Sequence, residues 1–128
     1  MASATATSTF TAVLVGCGGI AGAWLGSLRG RSDVRLVGLI DLDPAAAERR
    51  KAEFGLDCTC GSDLAAMLEE LRPDLVFDCT VPPAHATVAC CALAHGCHVL
   101  GEKPLADTMA NARRIRDAAQ AAGRVHAV

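Results

Sequence analysis

The sequence predicts an α/β fold, a Rossmann-type doubly wound parallel sheet with helices on both faces. Three observations carry this expectation. Short apolar runs alternate with longer Ala-rich amphipathic stretches about five times. The connections between them are short and punctuated by Gly, Pro and Asp. The first apolar run ends in a glycine-rich turn that opens a helix, the arrangement of a βαβ unit with right-handed crossovers.

The elements follow in order. Phe10–Val15 is apolar and β-branched and stops at Gly16, so it reads as a buried strand. A helix over Gly19–Leu28 closes near Gly30. Val34–Ile40 is the second strand, ending on Asp41. Asp43 and Pro44 supply an N-cap and a proline at the first helical position, and the helix runs to Phe54 and Gly55. Cys58–Cys60 is a minimal third strand, after which Ser62 or Asp63 caps a helix through Leu71, ended by Arg72-Pro73. Leu75–Cys79 is the fourth strand. Pro82-Pro83 breaks the chain before a helix from about His85 to Ala94, with Gly96 at its end. His98–Leu100 is the fifth strand, Asp107 or Thr108 caps a long helix stopping near Gly123, and Val125–Val128 begins one more strand. The chain stops inside that strand, so it reads as a fragment, with residues 1–10 a flexible leader and 11–128 the domain.

Composition narrows the function. The 128 residues are 52% hydrophobic and 20% charged, as in a packed soluble domain. Aromatics are only 3%, with no Tyr, so Ala, Val, Leu and Ile must build the core and no stacking platform exists for single-stranded nucleic acid. With a net charge of −2 and no basic face, a nucleic-acid partner is not expected. The longest basic run, Arg49-Arg50-Lys51, reads as the solvated side of a helix. The opening MASATATST does not read as a signal peptide, and no apolar stretch is long enough to span a membrane. The seven cysteines are odd in number, mostly inside apolar runs and without a CxxC pair. They read as free thiols in a reducing cytoplasm, and no metal site is expected. His95-x-x-His98 spans a helix end and a strand start and is not read as a metal site either.

The strongest local signal is Gly16-x-Gly18-x-x-Ala21, directly after the first strand. Gly16 permits the tight turn, Gly18 lets backbone approach a pyrophosphate, and Ala21, with Gly22 beside it, keeps the helix close to the sheet. The helix N-terminus at Gly19 and Ile20 then offers N–H groups and partial positive charge to phosphates. Asp41 lies 23 residues beyond Gly18 (41 − 18), at the carboxyl end of the second strand. A carboxylate there accepts hydrogen bonds from ribose hydroxyls and repels a 2′-phosphate, and Leu42 and Asp43 supply no cation, so NAD is preferred over NADP. The competing role for Asp41 and Asp43 is capping the next helix; Asp43, directly before Pro44, suits the cap better. Two other classes use such a turn: a non-catalytic NAD-binding sensory module and an S-adenosylmethionine-dependent methyltransferase.

Two later segments follow strands at the ends where open sheets bind ligands: DCTVPPAHA after the fourth strand and HVLGEKPLA after the fifth. Together, GCGGIAG, TVPPAH and GEKPLA, in this order, resemble the glucose–fructose oxidoreductase / inositol dehydrogenase / MocA (Gfo/Idh/MocA) family over about Thr11 to Val128. The resemblance implies an NAD(P)-dependent oxidoreductase that oxidises or reduces hydroxyl and carbonyl groups of sugars, inositols and related polyols. It also implies a second, substrate-binding domain that is absent here, and a homo-oligomeric parent. By position, Lys103 matches the family's Glu-Lys-Pro lysine, near the reacting carbon and the nicotinamide, and is the expected catalytic residue. An ammonium or amine there can pass the proton that accompanies hydride transfer. Glu102 orients the segment and Pro104 fixes its turn. Thr80, Pro82 and His85 match the loop over the cofactor, with His85 also able simply to begin its helix. Val81 departs from the family, standing where many members have proline.

Overall fold

A computed structural model describes residues 9–128. Six parallel strands form one sheet in the order β3-β2-β1-β4-β5-β6: β1 Phe10–Val15, β2 Val34–Ile40, β3 Thr59–Gly61, β4 Leu75–Asp78, β5 His98–Gly101 and β6 His126–Ala127. Five helices connect them: α1 Gly19–Leu28, α2 Pro44–Phe54, α3 Leu64–Leu71, α4 His85–Ala94 and α5 Met109–Ala122. The chain winds outward from β1 to β3, crosses back through α3, and winds outward again from β4 to β6. Because parallel crossovers are right-handed, the two directions of winding place their helices on opposite faces.

The core records this division. β1 buries both of its faces from Ala12 to Val15, as the apolar run there requires. Val13 and Val15 pack with Ile40, Val76 and Val99 against Leu68 of α3, Leu93 of α4 and Ile115 of α5. Ala12 and Leu14 pack with Leu39 and Phe77 against Ala21 and Leu25 of α1 and Ala47 of α2. Each large aliphatic side chain so buried contributes about 1.5–3 kcal/mol. The strand order reverses between β1 and β4, which opens a crevice at their carboxyl ends, the place where open sheets bind ligands.

Local chemistry sets the helix ends. The Asp43 carboxylate accepts a hydrogen bond from Ala45 N–H at 3.0 Å, and α2 closes on Gly55 in the left-handed region (φ 61°). Of the paired candidates for the later caps, Asp63 caps α3 and Thr108 caps α5. Several boundaries shift from expectation. β3 runs one residue later than Cys58–Cys60, because its register follows Gly38–Ile40 of β2. β4 ends at Asp78 rather than Cys79, β5 extends to Gly101, and β6 is confined to His126–Ala127. A single turn of 3₁₀ helix at Pro82–Ala84 precedes α4. Phe10, placed at the edge of the leader, pairs with Val34 and begins β1; residues 1–8 of that leader lie outside the described residues.

Candidate functional site

The turn after β1 is built around a residue that must be glycine. Gly16 has φ 90°, and a Cβ on it would lie 2.7 Å from the Cys79 carbonyl oxygen and 2.9 Å from Thr80 N, where β4 passes beneath. Its N–H donates to the Ile40 carbonyl at 2.8 Å. Gly18 precedes α1 with no side-chain cap, and a Cβ on it would meet nothing within 4 Å. The first N–H groups of α1, at Gly19 and Ile20, therefore lie at an uncapped helix end. Ala21 is fully buried beneath the helix.

Asp41 is partly exposed and grips this turn. One carboxylate oxygen accepts from Cys17 N–H and the other from Asp43 N–H, both at 2.8 Å. Asp41 thus does not cap α2, which leaves that role to Asp43. Each carboxylate oxygen keeps a further lone pair, so a ribose hydroxyl has room to donate there.

Arg50 corrects a sequence expectation. Rather than lying solvated, it crosses from α2 to the turn: Nη2 donates to Gly18 O at 2.7 Å and Nε to Cys17 O at 3.3 Å, while Nη1 pairs with Glu53 at 2.8 Å. The Cys17 peptide is therefore held from both sides, its N–H by Asp41 and its carbonyl by Arg50. Gly22 makes room for this arginine, since a Cβ there would sit 3.1 Å from Arg50 Nη1. Nothing local in the sequence signals the contact, because the partners lie 32 and 33 positions earlier.

Across the crevice, the loops after β4 and β5 are held from below. Asp78, buried at the end of β4, accepts hydrogen bonds from Thr80 N–H at 3.0 Å and from the Thr80 hydroxyl. Its carbonyl accepts from Glu102 N–H at 3.0 Å. His85 is buried, with Nδ1 2.8 Å from Pro104 O and Nε2 2.9 Å from Thr80 O, so its ring joins the two loops. Val81 has φ −76°, a value proline also adopts, so its departure from the family pattern leaves the backbone as proline would set it. Pro82 begins the 3₁₀ turn. Glu102 is partly buried and accepts from the Trp24 indole N–H at 2.8 Å, a contact the sequence reading did not anticipate. Lys103 is exposed, and its peptide bond to Pro104 is cis.

The structure thus brings Gly16, Gly18, Gly19, Ile20, Thr80, Glu102 and Lys103 to one end of the sheet, with Asp41 one strand further out. Burial pushes the thiols of Cys17 and Cys79 up to about 12, helped respectively by the nearby carboxylates of Asp41 and Asp78. They stay protonated at neutral pH and are no candidates for a nucleophile. A concavity lined by Leu68, Glu69, Arg72, Asp74, His95 and Arg124 lies at the opposite, amino end of the strands. Loop chemistry rather than concavity locates the site, because ligands of parallel sheets bind at the carboxyl ends.

The model of the Gfo/Idh/MocA family, described as an oxidoreductase family with an NAD-binding Rossmann fold, matches residues 10–128. The chain belongs to this family. It is 33% identical over 126 residues to the D-glucoside 3-dehydrogenase of Escherichia coli, covering 98% of this chain and 36% of that protein. It superposes with a TM-score of 0.86 on the WlbA dehydrogenase of Chromobacterium violaceum, solved with NADH and UDP-GlcNAcA, at 28% identity over 98% of this chain and 36% of that one. The biliverdin reductase of Synechocystis, solved with biliverdin and NADP+, matches at 27% identity and a TM-score of 0.82, over 93% of this chain and 37% of that one. The chain spans about a third of the length of the curated relatives it matches, such as the 33% of the inositol 2-dehydrogenase of Burkholderia ambifaria. Among the described residues no helix is long and apolar enough to cross a membrane.

Proposed function

We propose that this chain binds NAD in preference to NADP and serves an oxidoreductase that moves hydride to or from a hydroxyl or carbonyl carbon of a sugar, inositol or related polyol. The observation that carries the reading is the convergence of an uncapped glycine turn, the Asp41 carboxylate and the exposed Lys103 on the crevice where the strand order reverses. The residues present fit a dinucleotide. The α1 N-terminus would hold the pyrophosphate, Asp41 the adenine ribose, and the Thr80 and Glu102 loops the nicotinamide end. Beside Asp41, Leu42 is 94% exposed and offers apolar cover instead of a cation for a 2′-phosphate.

When bound, the nicotinamide supplies or accepts the hydride. The protein's part is to hold the reacting carbon and move a proton. Lys103 Nζ hydrogen-bonds the substrate oxygen and takes its proton during oxidation, or returns it during reduction. The sugar and polyol class is supported by relatives such as the D-glucoside and inositol dehydrogenases. Seven free thiols support a reducing, cytoplasmic setting.

Isothermal titration with NAD, NADH and NADP, of the chain and of Asp41→Ala, tests the reading. The expected result is tighter binding of NAD than NADP by about tenfold or more, from repulsion between the 2′-phosphate and Asp41. That ratio should collapse in the variant. Because Asp41 also grips the turn, its loss loosens the site for both cofactors, and the ratio isolates the charge. No binding of any nicotinamide cofactor, or binding of S-adenosylmethionine instead, would overturn the proposal.

A further inference from the structure

We infer that Trp24 is a positioning residue, whose indole N–H holds the Glu102 carboxylate and so ties the Glu-Lys-Pro segment to the helix that begins at the glycine turn. The inference rests on the reading of Lys103 given above. Trp24 is partly buried on α1, five residues after the helix starts at Gly19 (24 − 19). Its ring packs against Phe77 of β4, with centroids 5.6 Å apart. An indole N–H sheltered in this way needs an acceptor, and the one it finds lies 78 positions along the chain, 2.8 Å away on Glu102. A hydrogen bond to a carboxylate is stronger than one between neutral groups.

Glu102 is then fixed at both ends, its backbone N–H by the Asp78 carbonyl and its side chain by Trp24. Lys103 is the next residue and is exposed. The indole therefore limits how far the lysine backbone can swing away from the crevice. It also makes the two ends of a bound dinucleotide interdependent. The pyrophosphate end rests on the helix that carries Trp24, while the nicotinamide end faces the segment that Trp24 holds.

The chain has one tryptophan, so its indole N–H gives one assignable signal in a proton–nitrogen correlation spectrum. Glu102→Gln replaces the carboxylate with a neutral amide, and the indole proton should move upfield and exchange faster with solvent. An unmoved signal would overturn the inference. In the second arm, Trp24→Phe keeps the ring against Phe77 but deletes the donor. NADH affinity should fall roughly three- to tenfold. ADP-ribose, which lacks the nicotinamide, should bind within about twofold of the unmodified chain, since its turn and Asp41 are untouched. An equal loss for both ligands would mean that Trp24 merely packs α1, and no loss for either would mean that the bond positions nothing. If the unmodified chain fails to bind NADH, the cofactor reading falls and the positioning role with it. An indole signal still responsive to Glu102→Gln would then show a purely structural bond.

Discussion

The two walls of the crevice are held by different means. On the β1–β2 side the ties are charged and reach solvent: Asp41 is partly exposed, and the Arg50 side chain keeps 20% of its surface. On the β4–β5 side the ties are nearly closed off, with Asp78 at 2% and His85 at 3% exposure. A tie within reach of water is weaker and more exchangeable, because water satisfies either partner when the bond opens. A buried tie cannot open without stranding a polar group. The first wall is thus suited to receiving a ligand from water, and the second to holding loop geometry fixed before anything arrives. They touch where Gly16 lies over the Cys79–Thr80 peptide.

The contact between the walls is the most sensitive point. Gly16→Ala places a methyl within 3 Å of three backbone atoms of Cys79 and Thr80, at a φ that alanine avoids. Neither neighbour is a flexible side chain, so the walls must separate. The expected cost is roughly 3 kcal/mol or more, from left-handed strain and overpacking combined. Thermal unfolding measures it, and NAD binding should vanish in the same protein. A variant of normal stability that still binds NAD would mean the two walls are not in contact as described.

A smaller effect is expected within the buried wall. His85→Ala removes the ring that joins Thr80 O to Pro104 O. An imidazole donates through at least one ring nitrogen, so at least one of those carbonyls depends on this ring for a donor. Losing it should cost about 1–3 kcal/mol, lowering Tm by roughly 3–15 °C in a domain of this size. Differential scanning calorimetry reads the shift directly. A change below about 0.5 kcal/mol, the range of ordinary surface substitutions, would place His85 among the exchangeable ties.

The same contrast explains what the sequence disclosed. The glycine turn was legible because Gly16 answers a backbone demand, and Asp43-Pro44 because a cap acts within two residues. The parallel sheet with helices on both faces followed from alternating elements and a fixed crossover hand. Strand ends were legible only to within a residue or so, since β3 stops and starts where β2 offers partners. The ties that shape the crevice were the least visible. Arg50 sits in a run of basic residues whose pattern suits a solvated helix face, and only the fold brings it to Gly18. Trp24 and Glu102 are separated by four strands' worth of chain. Lys103 was singled out only through the Glu-Lys-Pro resemblance, because an exposed lysine has no local signature of its own.

Arg50→Met should have the smallest effect on folding and so sharpens the distinction best. Methionine keeps an unbranched aliphatic stem but deletes every donor, along with the guanidinium that lies beside Gly22. The freed Gly18 carbonyl lies at the surface, the Cys17 carbonyl is only partly buried, and the ion pair lost with Glu53 is exposed on the glutamate side. Stability should therefore fall by less than about 1 kcal/mol. Binding should respond more than folding, since the turn loses its carbonyl tether while Asp41 still holds the Cys17 N–H. NAD and ADP-ribose affinities should drop together by roughly threefold, because both ligands would rest on this turn through the pyrophosphate they share. This parallel loss is the opposite of the split expected for Trp24→Phe. If Arg50→Met instead cost more than about 2 kcal/mol of stability, comparable to a buried tie, the receiving wall would be as rigid as the other. The crevice would then be preformed on both sides rather than completed by its ligand.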